Sequence, residues 1–177
     1  MSTLLLTEMG TKKQASLHLV KGRENLAEHD PQGLEIFAAD LKTFRTALTR
    51  ENHTLKRALT DPHLFSGIGN AYSDEILHRA KLSPVKQTKQ LSDAEIEILF
   101  GATKGCLSEW IERLRKETGK AFPERVTAFR DDMAVHGKSR KPCAGCGPPV
   151  QQLVYPQNET NYFAKCQNDG KLLSARS

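Results

Sequence analysis

Phe65-Ser66-Gly67-Ile68-Gly69-Asn70-Ala71-Tyr72-Ser73-Asp74-Glu75-Ile76-Leu77 sets two glycines around one apolar residue, directly before a run with helical apolar spacing. Ala71, Ile76, Leu77 and Ala80 carry that spacing, and Ser83-Pro84 ends it. The stretch predicts a tight turn feeding a helix. Such a turn suits a phosphate, because glycine lets the backbone approach an anion and the free N–H groups of a helix start point at it. Asn70 either caps the helix or donates to a phosphate oxygen, and Lys56 on the preceding helix adds a cation. The same residues equally describe an ordinary interhelical turn with Asn70 as its N-cap.

Helical signals surround this turn. Leu34, Phe37, Leu41, Phe44 and Leu48 recur at helical spacing, which predicts an amphipathic helix over roughly 34–50, after the turn Asp30-Pro31-Gln32-Gly33. A shorter helix begins near His53-Thr54, carries Leu55, Ala58 and Leu59, and stops at Asp61-Pro62. Downstream, Ser92 with Glu95 forms a capping box for a helix that runs to Thr118-Gly119. Its inner face is Ile96, Leu99, Cys106, Trp110, Ile111 and Leu114; Gly101 and Gly105 weaken it locally. Cys106 reads as a buried structural thiol. Ahead of all this, Ala15 to Val20 alternates like a strand, with no obvious sheet to join.

After about residue 135 the composition shifts to Gly, Pro, Lys and Cys, then to Val150–Tyr155 and Thr160–Phe163 around Pro156-Gln157-Asn158-Glu159, a β-hairpin. Cys143-Ala144-Gly145-Cys146 is a C-x-x-C knuckle, and Cys166 fits the second position of a matching knuckle beyond the hairpin. The first position of that second knuckle is Phe163, which cannot coordinate metal. Two readings stay open. Cys143, Cys146 and Cys166 hold zinc with water or a displaced ligand such as His136, or the hairpin is metal-free and packed by Tyr155, Tyr162 and Phe163. A thioredoxin-type redox motif lacks its βαβ surroundings.

Composition narrows the class. The chain has 177 residues, 38% hydrophobic and 27% charged, enough for one ordinary domain or two small ones with a packed core. No apolar run approaches the ~20 residues of a membrane span, and Met1-Ser2-Thr3-Leu4-Leu5-Leu6 lacks the basic region of a signal peptide. A cytoplasmic protein is expected. The net charge of +5 is concentrated in the tail, where Lys138, Arg140, Lys141, Lys165, Lys171 and Arg176 face only Glu159 and Asp169. A compact basic tail points to a polyanion, most commonly nucleic acid.

His53-Thr54-Leu55-Lys56-Arg57-Ala58-Leu59 followed by Phe65 to Leu77 resembles the helix–two-turn–helix of the formamidopyrimidine-DNA glycosylase and endonuclease VIII family. The tail from Val135-His136-Gly137 to Cys166-Gln167 resembles that family's zinc finger, in the family's order. The resemblance implies a base excision repair protein that binds duplex DNA with a damaged or abasic site and flips the damaged nucleotide out. It implies a Schiff-base attack by an amino-terminal proline, then strand cleavage by elimination. Lys56 and Asn70 match positions that hold phosphates beside the lesion, with Gly67 and Gly69 forming the turn. Glu75 matches an acidic residue expected to brace that turn.

Three departures qualify the resemblance. Met1-Ser2-Thr3 stands where the family has its proline and glutamate, and residues 1–22 resemble only the last strand of the family's amino-terminal β-sandwich. Phe163 replaces a zinc cysteine. Asn158 stands at the finger tip, a DNA-binding position where many relatives carry arginine. The expected architecture is mainly α: a sandwich remnant at 1–22, a helix–two-turn–helix domain at 23–135 and a zinc-finger-like β-hairpin at 136–177. The expected function is the damaged-DNA-binding part of a glycosylase/AP lyase, with no catalytic residues of its own. The alternatives are an active enzyme completed by a separate amino-terminal chain, and a zinc-ribbon protein-interaction module.

Overall fold

The computed structural model of the protein describes residues 15–121, 129–143, 145–155 and 159–174. These fall into two units, divided between Asp30 and Pro31. In the first unit, residues 15–20 carry no regular secondary structure, and Glu24–His29 forms a 3-10 turn with no buried residue. The strand expected at Ala15–Val20 is therefore not formed. Leu19 is 90% exposed, and among the described residues no strand pairs with this segment. A lone strand has no ladder to stabilise it.

The second unit opens at a close crossing. Leu34 and Phe65 form a parallel bridge, with Leu34 N donating to Leu64 O at 3.0 Å and Ser66 N to Leu34 O at 3.1 Å. Gly33 permits this crossing, because a Cβ there would meet Pro62 O at 2.2 Å. Helix α1 then spans Leu41–Thr49, not roughly 34–50. It starts late because Asp40 caps it: the carboxylate accepts from Thr43 N at 2.7 Å, and Thr43 Oγ1 accepts from Asp40 N at 3.1 Å. Phe37, counted on the apolar face, is exposed, and Ile36 is buried in its place.

Helix α2 spans Leu55–Thr60 with Thr54 as its cap, and Asp61 ends it as expected. Helix α3 spans Asn70–Ala80 and helix α4 spans Asp93–Thr118. The Ser92–Glu95 capping box forms, and α4 continues through Gly101 and Gly105 without a break. Phe44, Leu48, Leu55, Leu59, Phe65, Ile76, Leu77 and Leu99 are fully buried between these helices. The Phe44 ring lies 5.0 Å from Phe65 and 5.1 Å from Phe100. Cys106 belongs to the same core, where burial pushes its thiol pKa up to about 12, so it is inert.

The tail forms an antiparallel hairpin of β1 (Gln151–Val154) and β2 (Glu159–Tyr162), with Gln151 opposite Tyr162 and Val154 opposite Glu159. A single turn, α5 (Ala164–Gln167), follows. Gln167 Nε2 donates to Leu82 O at 3.0 Å, fastening α5 to the end of α3. Helix α3 thus packs on α2 and α4 and also on β2 and α5. None of the described helices is long and apolar enough to cross a membrane.

Candidate nucleic-acid interface

The turn before α3 is built for open amides. Gly67 has φ +76°, a conformation that disfavours any side chain. The cap of α3 is Gly69, not Asn70, so no side chain satisfies the first-turn N–H groups. Gly67 and Gly69 are both exposed, and a Cβ at either would meet nothing within 4 Å. The positive end of an 11-residue helix therefore faces open space, with room for an anion to approach. Asn70 is the first helical residue, and its buried side-chain oxygen has no hydrogen-bond partner among the described residues.

Lys56 stands behind this turn. Its side chain is drawn inward to 7% exposure, and Nζ donates to Asn70 O at 2.6 Å, Ser73 Oγ at 2.8 Å and Asp74 Oδ1 at 2.6 Å. All three ammonium protons are thereby engaged. Burial depresses the Lys56 pKa, and the Asp74 carboxylate opposes that shift without reversing it. In this structure the lysine expected to meet phosphate has its Nζ turned inward, where it holds the backbone of Asn70. Its neighbour Arg57 is exposed.

Asp74 is 1% exposed and serves four donors. Beyond Lys56, its Oδ2 takes His136 Nδ1 at 2.9 Å, Asn161 N at 3.1 Å and Asn161 Nδ2 at 3.2 Å. Next to it, Glu75 accepts from Ala134 N at 2.9 Å, Val135 N at 2.8 Å and His136 N at 2.9 Å. The brace expected of Glu75 therefore falls on the chain entering the hairpin module and not on the glycine turn. Its acceptor oxygens reach three consecutive amides that no strand or helix would otherwise satisfy. Asp74 and Glu75 join the turn-bearing helix to the hairpin module, so the two candidate grips form one unit.

Sequence patterns do not single out Asp74, Ser73 or Asn161. The available signal was two adjacent carboxylates inside a buried stretch of α3, where charge persists only with partners. His136, considered as a displaced metal ligand, is committed to Asp74 through Nδ1, with Nε2 4.0 Å from Glu159.

Cys143, Cys146 and Cys166 converge, with their sulfurs all within 4.8 Å of one another. The Cys143 sulfur accepts from the Gly145 amide at 3.4 Å, and Cys166 Sγ lies 2.9 Å from Cys146 Sγ. Burial opposes ionisation of Cys143, but donation from the Gly145 and Cys146 amides and the other thiols brings its pKa below the ordinary thiol value. Cys146 is pushed up to about 12, first by its bond with Cys166 and then by burial. The donor set fits a thiophilic divalent ion at three corners. The fourth corner is apolar: Phe163, 1% exposed, packs with Val135, Cys143 and Val150. Asn158, assigned to the finger tip, lies outside the described residues, as do residues 1–14.

Residues 30–121 match the family model described as the formamidopyrimidine-DNA glycosylase H2TH domain. An uncharacterized formamidopyrimidine-DNA glycosylase-like protein of Mycobacterium tuberculosis is 33% identical over 146 residues, 82% of this chain and 89% of the relative. The formamidopyrimidine-DNA glycosylase of Listeria monocytogenes serotype 4b is 32% identical over 127 residues, 70% of this chain and 46% of the enzyme. Among solved structures, the MutM (Fpg) protein from Thermus thermophilus aligns with TM-score 0.63 and 29% identity, covering 76% of this chain and 53% of that one. Lactococcus lactis Fpg, in complex with abasic-site DNA, aligns with TM-score 0.65 and 25% identity, covering 82% and 55%. The chain spans about half the length of these named glycosylases. With just over half of the chain in the family model and a relative matched along most of both lengths, the chain belongs to the formamidopyrimidine-DNA glycosylase family.

Proposed function

We propose that this chain grips duplex DNA at a damaged or abasic site, as the DNA-binding part of a base excision repair glycosylase. The observation that carries the reading is the start of α3 at Gly67–Asn70, which no side chain caps, with both glycines open to solvent and the turn held from behind by the buried Lys56–Asp74 pair. Phosphate oxygens are the complementary ligand for such amides. In this reading Gly67, Gly69 and Asn70 face the backbone of the DNA, Lys56 sets their geometry, and Asn158 with the basic residues of the tail adds a second hold. The joining of turn and hairpin through Asp74 and Glu75 supports one grip made of two elements. Zinc, held by Cys143, Cys146 and Cys166, would stiffen the hairpin module. The protein acts in the cytoplasm, where bacterial DNA lies.

The proposed role is binding and not strand cleavage. A lyase needs a neutral, aligned amine, and the lysine beside the turn is committed to Asp74. The test uses a duplex with one abasic site, an undamaged control duplex, borohydride trapping, and both native and denaturing gels. A shifted complex that weakens steeply with salt, with no covalent adduct, is expected. No shift at low salt from folded protein overturns DNA binding. A trapped adduct with strand cleavage overturns the binding-only role and favours catalysis, alone or completed by a second chain.

A further inference from the structure

The three thiols border a cavity of about 680 Å³ whose lining also includes His78, Asp131 and Phe163. Beyond the cysteines, His78 and Asp131 are the metal-ligating types among its described lining residues. Asp131 is exposed, and its carboxylate lies 3.8 Å from Lys138 Nζ. His78 is placed differently. It projects from the last turns of α3, half-buried, with its ring centroid 5.0 Å from that of Phe163. Among the described residues neither of its ring nitrogens has a hydrogen-bond partner, whereas His136 is engaged by Asp74. Cys166 follows Phe163 by three residues, and Gln167 fastens that turn to Leu82, four residues after His78 and just past the end of α3.

We infer that His78 is the replacement fourth ligand, giving a Cys3His metal site formed by Cys143, Cys146, Cys166 and an imidazole from the helical domain. The inference rests on the thiol cluster being a metal site, as proposed above. His78 is not among the side chains that already converge with the three sulfurs, so ligation requires its ring to move toward them. Cys3His is a regular structural zinc set. Unlike four cysteines confined to the tail, it makes the metal a cross-link between α3 and the hairpin module.

The experiment measures bound zinc after equilibration with a competing chelator, and the visible spectrum of the cobalt-substituted protein. His78→Phe keeps a ring against Phe163 but removes the ligand; His78→Cys does the reverse. The expected result is at least a tenfold loss of zinc affinity in His78→Phe, near-native affinity in His78→Cys, and a cobalt spectrum that moves toward the four-sulfur type in His78→Cys. In Phe163→Cys, which restores a fourth tail thiol, His78→Phe should no longer matter. Equal zinc affinity in His78→Phe and the unmodified protein overturns the role of His78 while leaving the thiol site standing. Absence of bound zinc in the unmodified protein, with affinity gained only in Phe163→Cys, overturns both.

Discussion

Lys56→Met separates a lysine that positions the turn from one that touches DNA. Lys56 Nζ and Asp74 Oδ1 are 2.6 Å apart, with side-chain exposures of 9% and 0%. Removing one partner of such a buried pair typically costs about 3–5 kcal/mol, because the remaining charge is left uncompensated. Asp74 keeps the Asn161 donors and His136, and burial already disfavours the charged lysine, so the lower end, about 3 kcal/mol, is expected. For a chain of this size that lowers Tm by roughly 6–12 °C. Asp74→Asn alone should also destabilise, while the double variant should recover part of the loss, with a coupling of at least about 1 kcal/mol. Thermal unfolding followed by far-UV and near-UV circular dichroism measures all four proteins. The lysine also has a pH signature. Its folded pKa lies below the ordinary 10.5, so between the two values the unfolded chain binds more protons. Its contribution therefore grows as pH rises toward 10.5 and shrinks as pH falls, and Lys56→Met should lose that slope. A Tm within about 1 °C of the parent, together with weaker DNA binding and a shallower salt dependence, would refute the positioning role and restore a direct phosphate contact.

Gly69→Ala should leave Tm within about 2 °C, since φ is −92° there, yet weaken duplex binding in a gel shift because the new methyl occupies the space left for the ligand. Gly67→Ala, at φ +76°, should cost about 1–2 kcal/mol in chemical denaturation as well as affinity. Glu75→Gln, which loses charge-assisted bonds to three amides, should destabilise by about 2 kcal/mol, and amide exchange at residues 134–136 should rise first; unchanged protection there argues against the brace. Glu95 has its pKa lowered by Lys86 and then by the Ser92 amide, so its contribution is complete above 4.5 and fades as pH falls through the lower folded value. Glu95→Gln should therefore cost up to about 1 kcal/mol at pH 7, with the gap to the parent closing in acid.

Local patterns in the sequence determined most of the helical architecture. The Ser92–Glu95 box, the Asp61-Pro62 stop and the Gly67–Gly69 turn each act through neighbours a few residues away, and α2, α3, α4 and the hairpin appear where those signals put them. Cys143 and Cys146 were legible for the same reason, since knuckle spacing is a local constraint, whereas Cys166 joins them from 20 residues away across the hairpin. Tertiary structure decided what the polar residues do. The direction of Lys56 depends on a carboxylate 18 residues away, and the task of Glu75 on amides about 60 residues away. The apolar spacing that ran from Leu34 did not become helix there because Leu34 is drawn into the crossing with Phe65, and the local Asp40 cap starts α1 only at Leu41. Periodicity records which residues are apolar, whereas a buried charge is placed by whichever partner the fold brings within hydrogen-bond reach.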